Sequence, residues 1–144
     1  MKFMEKKVKV GVGVLVRDKK GKVILIKRTG SHGEGTWAPP GGHIDFGETA
    51  VEAGRREVEE ETGIITGDPK VLGFTEDFFE KEGKHYITVW LQSDWLSGEL
   101  KKSDREFTEI GLFGMEDLPN PLFLTFKNFI DGKLLPRPQD FTKA

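Results

Sequence analysis

Five valines, Val8, Val10, Val12, Val14 and Val16, recur at every second position near the start of the chain. A period of two is the period of an extended strand, so this run predicts a β-strand with one face in a core. Asp18-Lys19-Lys20-Gly21 is turn chemistry, and Lys22 to Lys27 predicts the returning strand of a hairpin. A second hairpin is expected from Val71 to Glu80 and Lys84 to Ser93, turning at Lys81-Glu82-Gly83, with a short strand from Glu109 to Phe113.

Gly30 to Pro40 reads as a loop rich in glycine and proline. Thr49 then starts a helix, because Thr49 and Glu52 stand in the S/T-x-x-E relation of a capping box. The helix runs to about Thr62, where Gly63 is placed to end it. A final helix is expected from Leu122 to Asp131, closed by Gly132, and the tail beyond Leu135 is expected to be loosely held. Strands, a helix, strands and a helix describe an α+β fold, with residues 1–144 forming a single domain.

The balance of 36% hydrophobic and 32% charged residues is that of a folded soluble domain. A net charge of −2 gives no basis for broad binding to nucleic acid or to a membrane surface. With no cysteine there can be no disulfide, thiolate metal site or cysteine nucleophile, and the composition fits a cytoplasmic protein. No apolar run reaches the ~18 residues of a membrane helix, and none follows the basic start as a signal core would.

The first helix carries the chemistry. On a wheel of roughly 100° per residue, Glu57, Glu60 and Glu61 share an arc of about 100°. Val51 and Val58 form an apolar stripe beside it, and Glu52 and Glu59 point away as solvated residues. Ala50, Ala53 and Gly54 lie near the acids, and a mid-helix glycine, costing ~1 kcal/mol, signals close packing. Three converging carboxylates repel one another, and a hard divalent cation resolves the conflict. Glu-rich sites of this kind suit displacement at phosphorus. Arg56 is adjacent and can orient a carboxylate through a bidentate pair. On composition alone, a solvated acidic face is the commoner outcome.

Spacing changes that balance. Gly42, five residues, Glu48, seven residues and then Arg56-Glu57-Val58-Glu59-Glu60-Glu61-Thr62-Gly63-Ile64 resembles the Nudix box, G-x5-E-x7-R-E-U-x-E-E-x-G-U, at every specified position. At about one chance in ten for each fixed residue, the match would arise by accident on the order of once in 10⁷ trials. The resemblance implies an α/β/α sandwich with a mixed sheet. It implies that Glu57, Glu60 and Glu61 bind Mg²⁺, for which Mn²⁺ can substitute. Arg56 would orient the first of them, Glu48 would support the site, and the Gly41 carbonyl would join the metal ligands.

Finer signatures resemble the MutT-like nucleoside triphosphate pyrophosphatases: Lys27-Arg28-Thr29-Gly30-Ser31, Gly35-Thr36-Trp37, Pro40-Gly41-Gly42-His43, Glu80-Lys81-Glu82, His85-Tyr86-Ile87-Thr88, and Leu118-Pro119 with Pro121-Leu122-Phe123. They imply that Arg28 and His43 reach phosphates, that Thr88, Leu122 and Phe123 lie near a base, and that the protein is a homodimer. Pro39 and Leu112 depart from the pattern, at positions where leucine and an aromatic residue are usual.

His32 and His85 favour surface or structural roles, and Trp90 and Trp95 favour core or interface roles. Trp37 is open between stacking on a base and packing on the sheet. Asp104, Glu106 and Glu109 remain open as a further metal ligand or base. The resemblance implies hydrolysis of nucleoside or deoxynucleoside triphosphates to the monophosphate and pyrophosphate. The alternative is ADP-ribose or another nucleoside diphosphate derivative, although no proline lies between Pro69 and Pro119, where ADP-ribose enzymes carry one. A nucleotide-binding regulatory module is the second class, disfavoured because every acid of the box is present.

Overall fold

The computed structural model describes residues 6–101 and 107–141. Among these residues one mixed sheet of eight strands lies between two α-helices. Strand β1, Val8–Arg17, runs through its middle. Along one edge it pairs in parallel with β7, Lys84–Ser97, from Val8 opposite His85 to Arg17 opposite Asp94. Its other edge is divided. Gly11 to Gly13 pair antiparallel with β4, Gly41–His43, and Arg17 meets Val23 of β2, Val23–Arg28.

Strand β2 carries β3, Trp37–Ala38, and β8, Phe107–Phe113. Strand β7 carries β5, Ile65–Thr66, and β6, Lys70–Phe79. The strands β3, β4 and β5 are only two or three residues long, too short for a periodic pattern, and are fixed by pairing with their neighbours.

Helix α1, Ala50–Thr62, begins and ends where expected. The Glu52 N–H donates to the Thr49 hydroxyl at 3.1 Å, and the Thr49 N–H donates to the Glu52 carboxylate at 3.3 Å, which closes the capping box. Glu52 therefore has a capping role as well as a solvated position. Gly63 adopts φ +79° and donates its N–H to the Glu59 carbonyl, a left-handed cap that glycine takes without steric cost.

The alternation in β1 is only half the story, because the strand is buried on both faces. Val12, Val14 and Val16 pack with Ala53, Val58, Ile64 and Leu91 beneath α1. Leu15 joins Val23, Leu25, Trp37, Trp90 and Phe126 on the opposite side. A central strand with a parallel neighbour and a helix on each face is covered twice, whereas Val8 and Val10 run out to solvent. Each fully buried aliphatic side chain here contributes about 1.5–3 kcal/mol.

Gly54 is buried, but the Leu91 and Val14 side chains, rather than another backbone, fill the space beside it. Helix α2, Leu124–Ile130, is shorter than the expected Leu122–Asp131. Leu122 forms a bridge with Trp37, and Phe123 takes an extended conformation as the N-cap. Beyond it, Leu135 exchanges backbone hydrogen bonds with Phe74, which ties the chain to β6 at the residue where the expected loose tail begins. Among the described residues no helix is long and apolar enough to cross a membrane.

Candidate functional site

Helix α1 turns its carboxylate face towards β4, and two glycines make that approach work. A Cβ on Gly41 would lie 2.0 Å from the Val12 carbonyl oxygen, so only glycine lets β4 pair this closely with β1. A Cβ on Gly42 would lie 2.6 Å from the Glu57 carboxylate. The missing methyl group is the cradle in which that carboxylate rests.

Arg56 holds the acids in place. Its Nε and one terminal nitrogen donate to the two Glu48 oxygens at 2.7 and 2.9 Å, a bidentate pair. Its other terminal nitrogen donates to Glu57 at 2.8 Å and Glu60 at 3.3 Å. The His43 carbonyl accepts a further bond at 3.1 Å. The Arg56 bonds, with help from the Asp45 N–H, hold the Glu48 carboxyl down at about 2, and Glu48 in turn raises the Arg56 guanidinium above its already high value.

A cleft of about 610 Å³ opens beside Glu57 and Glu61. Its far end is aromatic. The His32 ring stacks near Tyr86 at 5.8 Å and lies 4.6 Å from Phe79 and 5.2 Å from Phe123. Tyr86 also stacks on His43 at 5.8 Å. The Arg28 guanidinium sits 4.0 Å from the centre of the Phe123 ring, within cation–π range. The His32 imidazole meets Glu82 at 2.5 Å. Burial pushes His32 below its ordinary value in spite of that bond, and the same bond lowers Glu82.

Seven of the residues expected to bind metal or substrate line this cleft: Arg28, Gly41, His43, Glu57, Glu61, Thr88 and Phe123. Glu60 stands at the rim, with its side chain 60% exposed, and Arg56 braces the acids at their side. Leu122 does not belong with them. Its bridge to Trp37 turns it into the core on the α2 side. Trp37 itself packs against Phe113, which decides its role in favour of structure. Glu109 pairs with Lys27 at 3.7 Å on the neighbouring strand and does not line the cleft. Asp104 and Glu106 lie outside the described residues.

Three further aromatic groups line the cleft: His32, expected in a surface or structural role, Tyr86, read only as part of a signature, and Phe79, read only as part of a strand. The signal for Tyr86 was present, since the two-residue period of β7 puts it on the same face as Thr88 and Trp90. His32 and Phe79 had none, because their neighbours come from distant segments.

Among the described residues no three histidine, aspartate or glutamate side chains converge into a closed metal site. The expected gathering of all three acids is therefore incomplete, with Arg56 holding Glu60 at the rim. Glu57 and Glu61 bring carboxylate oxygens to the cleft, with Glu57 resting over Gly42 and bonded on one oxygen to Arg56. Mg²⁺ commonly takes one or two carboxylates and completes its octahedron with water and substrate phosphates, and these residues fit that kind of shared ion.

The NUDIX domain family model matches residues 7–137. An ADP-ribose pyrophosphatase from Methanocaldococcus jannaschii is 36% identical over 111 residues, covering 77% of this chain and 64% of that protein. An m7GpppN-mRNA hydrolase from Xenopus laevis is 38% identical over 94 residues, covering 58% of this chain and 32% of that protein. The matched part of the chain thus spans 64% and 32% of the length of these two curated relatives. Among solved structures, a MutT NUDIX hydrolase from Burkholderia pseudomallei superposes with a TM-score of 0.81 at 28% identity, covering 88% of this chain and 98% of that one.

Proposed function

The chain belongs to the NUDIX domain family of hydrolases, and on that premise we propose that it is a Mg²⁺-dependent pyrophosphohydrolase acting on nucleoside or deoxynucleoside triphosphates. The observation that carries the reading is one cleft with acids at one end and aromatic rings at the other, joined by a cationic side chain. Glu57 and Glu61 border the acidic end, Phe79, Tyr86 and Phe123 border the aromatic end, and Arg28 lies over Phe123.

In this reading Glu57, Glu60 and Glu61, with Gly41, hold the metal, and Glu60 swings in from the rim to do so. Mg²⁺ supplies charge neutralisation at the phosphate oxygens when it is bound. Arg56 keeps Glu57 oriented through its 2.8 Å bond, itself anchored by the pair to Glu48. Arg28 and His43 meet the phosphate chain, and the aromatic rings offer faces to the base. A carboxylate of α1 takes the proton from the attacking water. The products are the nucleoside monophosphate and pyrophosphate.

Hydrolysis of ADP-ribose is the second reading, favoured by the name of the relative from Methanocaldococcus jannaschii, an ADP-ribose pyrophosphatase. Both readings put a nucleoside at the aromatic end. Phosphorus NMR of digests of dGTP, dCTP and ADP-ribose separates them. Pyrophosphate released from a triphosphate supports the first. Orthophosphate as the sole by-product overturns it, and rapid cleavage of ADP-ribose with every triphosphate left intact moves the protein to the second. Excess chelator should abolish either activity, with Mg²⁺ or Mn²⁺ restoring it. The proposal includes a homodimer, to be read as the mass in light scattering; a monomer removes that part alone.

A further inference from the structure

Beneath the aromatic end of the cleft lies a buried polar chain that the proposed chemistry does not use. Asp77 on β6 is fully buried. Its Oδ1 accepts from the Asn128 side-chain Nδ2 at 2.9 Å, and its Oδ2 accepts from the Thr88 hydroxyl at 2.6 Å. The direction of the Asn128 amide is fixed by a second contact, since the same Nδ2 faces the Glu76 carbonyl at 3.5 Å. Asn128 comes from α2, and Thr88 from β7, next to the Asp77 strand.

A hydroxyl has one hydrogen to give. In Thr88 that hydrogen goes to Asp77, while Thr88 itself lines the cleft beside Tyr86 and Phe123. Towards the cleft, Thr88 therefore presents lone pairs only. We propose that Thr88 is a specificity-determining acceptor, polarised by Asp77 and Asn128, and that it selects nucleotides whose base carries an exocyclic amine. Such an amine projects beyond the ring and has two N–H donors, whereas an exocyclic carbonyl in its place would face lone pairs with lone pairs. Asp77 and Asn128 are positioning residues that act through Thr88. This inference rests on the proposed binding of a nucleotide in this cleft.

Adenine, guanine and cytosine are thus favoured over hypoxanthine and uracil. The test compares kcat/KM for the best of dATP, dGTP and dCTP with that for its amine-free counterpart, dITP for the purines and dUTP for dCTP. If ADP-ribose is the substrate, IDP-ribose is the counterpart. Leaving a desolvated acceptor without its donor should cost the counterpart at least about 10-fold.

The decisive variant is Asp77→Asn, which keeps shape and inverts polarity. The new side-chain oxygen must stay on the Asn128 amide, so its NH₂ faces Thr88 and the Thr88 hydrogen turns into the cleft. The amine preference should then collapse to about 1 or reverse, while Thr88→Ser, which retains the hydroxyl, should keep it. A ratio taken between two substrates in one preparation does not depend on the fraction folded, so loss of stability in Asp77→Asn leaves the readout intact. A wild-type enzyme that cleaves both members of the pair equally well, or a preference unmoved by Asp77→Asn, overturns the inference and leaves the proposed activity standing. No cleavage of any nucleotide overturns the activity and the inference together.

Discussion

Gly42→Ala tests whether the Glu57 carboxylate must rest where the structure holds it. The backbone at Gly42 needs no left-handed conformation, so alanine is sterically allowed there. The three atoms nearest the added Cβ all belong to the Glu57 carboxylate, at 2.6 to 2.8 Å. Ordinary contact begins at 3.4 Å, so the carboxylate must retreat by 3.4 − 2.6, or 0.8 Å. Misplacing a catalytic group by about 1 Å costs about 10²-fold in rate, equivalent to ~2.7 kcal/mol of transition-state stabilisation. Stability should barely change. Replacing glycine with alanine at a tolerant site contributes about 0.4–1 kcal/mol through the unfolded chain, which offsets a weakened Arg56–Glu57 bond. The expected outcome is a kcat about 10²-fold lower, with a Tm within ~4 °C of wild type. Gly41→Ala is the control, because its Cβ would strike the Val12 backbone at 2.0 Å and should lower Tm as well. A Gly42→Ala enzyme with near-normal kcat refutes the claim that Glu57 acts from this cradle.

Glu60→Gln should lower kcat by at least about 10²-fold if its charge reaches the metal. Its exposed side chain and single 3.3 Å contact with Arg56 imply almost no change in Tm, and a normal kcat would remove it from the metal ligands. Arg28→Ala should reduce kcat/KM for triphosphates by about 10²-fold, the worth of a charge-assisted phosphate contact, and an unchanged value in a coupled pyrophosphate assay would refute that contact. The Glu48 carboxyl is held at about 2, below the ordinary 4.5, so its contribution to stability is complete above pH 4.5 and is lost as pH falls towards 2. The Tm difference between wild type and Glu48→Gln should therefore shrink as the pH is lowered through that window, and a constant difference would contradict the assignment.

Short-range order was legible in the sequence because its causes are local. Thr49, Glu52 and Gly63 set both ends of α1 through bonds spanning three or four residues, and the arc of Glu57, Glu60 and Glu61 follows from helical pitch. The same is true of the hairpin turn at Gly83, with φ +65°. The second buried face of β1 was not legible. Leu15 interrupts no pattern, and only the parallel partner β7 and helix α2 make its side of the sheet a core. Likewise Leu122 carried the same apolar signal as its helix, but its backbone was claimed by Trp37 on a strand formed 85 residues earlier in the chain.

The two ends of the cleft differ in the same way, and the difference bears on how its specificity arises. The acidic end is written in one segment, residues 41 to 61, whose spacing alone brings glycines, arginine and carboxylates together. The aromatic end is assembled from four segments: His32 after β2, Phe79 at the end of β6, Tyr86 and Thr88 on β7, and Phe123 before α2. His32 and Glu82 meet across 50 residues, and Asp77 and Asn128 across 51. Strand pairing and helix docking set those meetings, and the local sequence shows which face a residue takes but not which distant residue it meets there. On the proposed reading, substitutions at the aromatic end can therefore alter which base is held without touching the spacing that aligns the acids. The reverse does not hold, because Gly42, Arg56 and Glu57 depend on one another within a few ångströms. On the proposed reading, base selection is the separable part of this site and bond cleavage the indivisible part, which is why an inversion at Asp77 should change preference while a methyl group at Gly42 should slow turnover about 10²-fold.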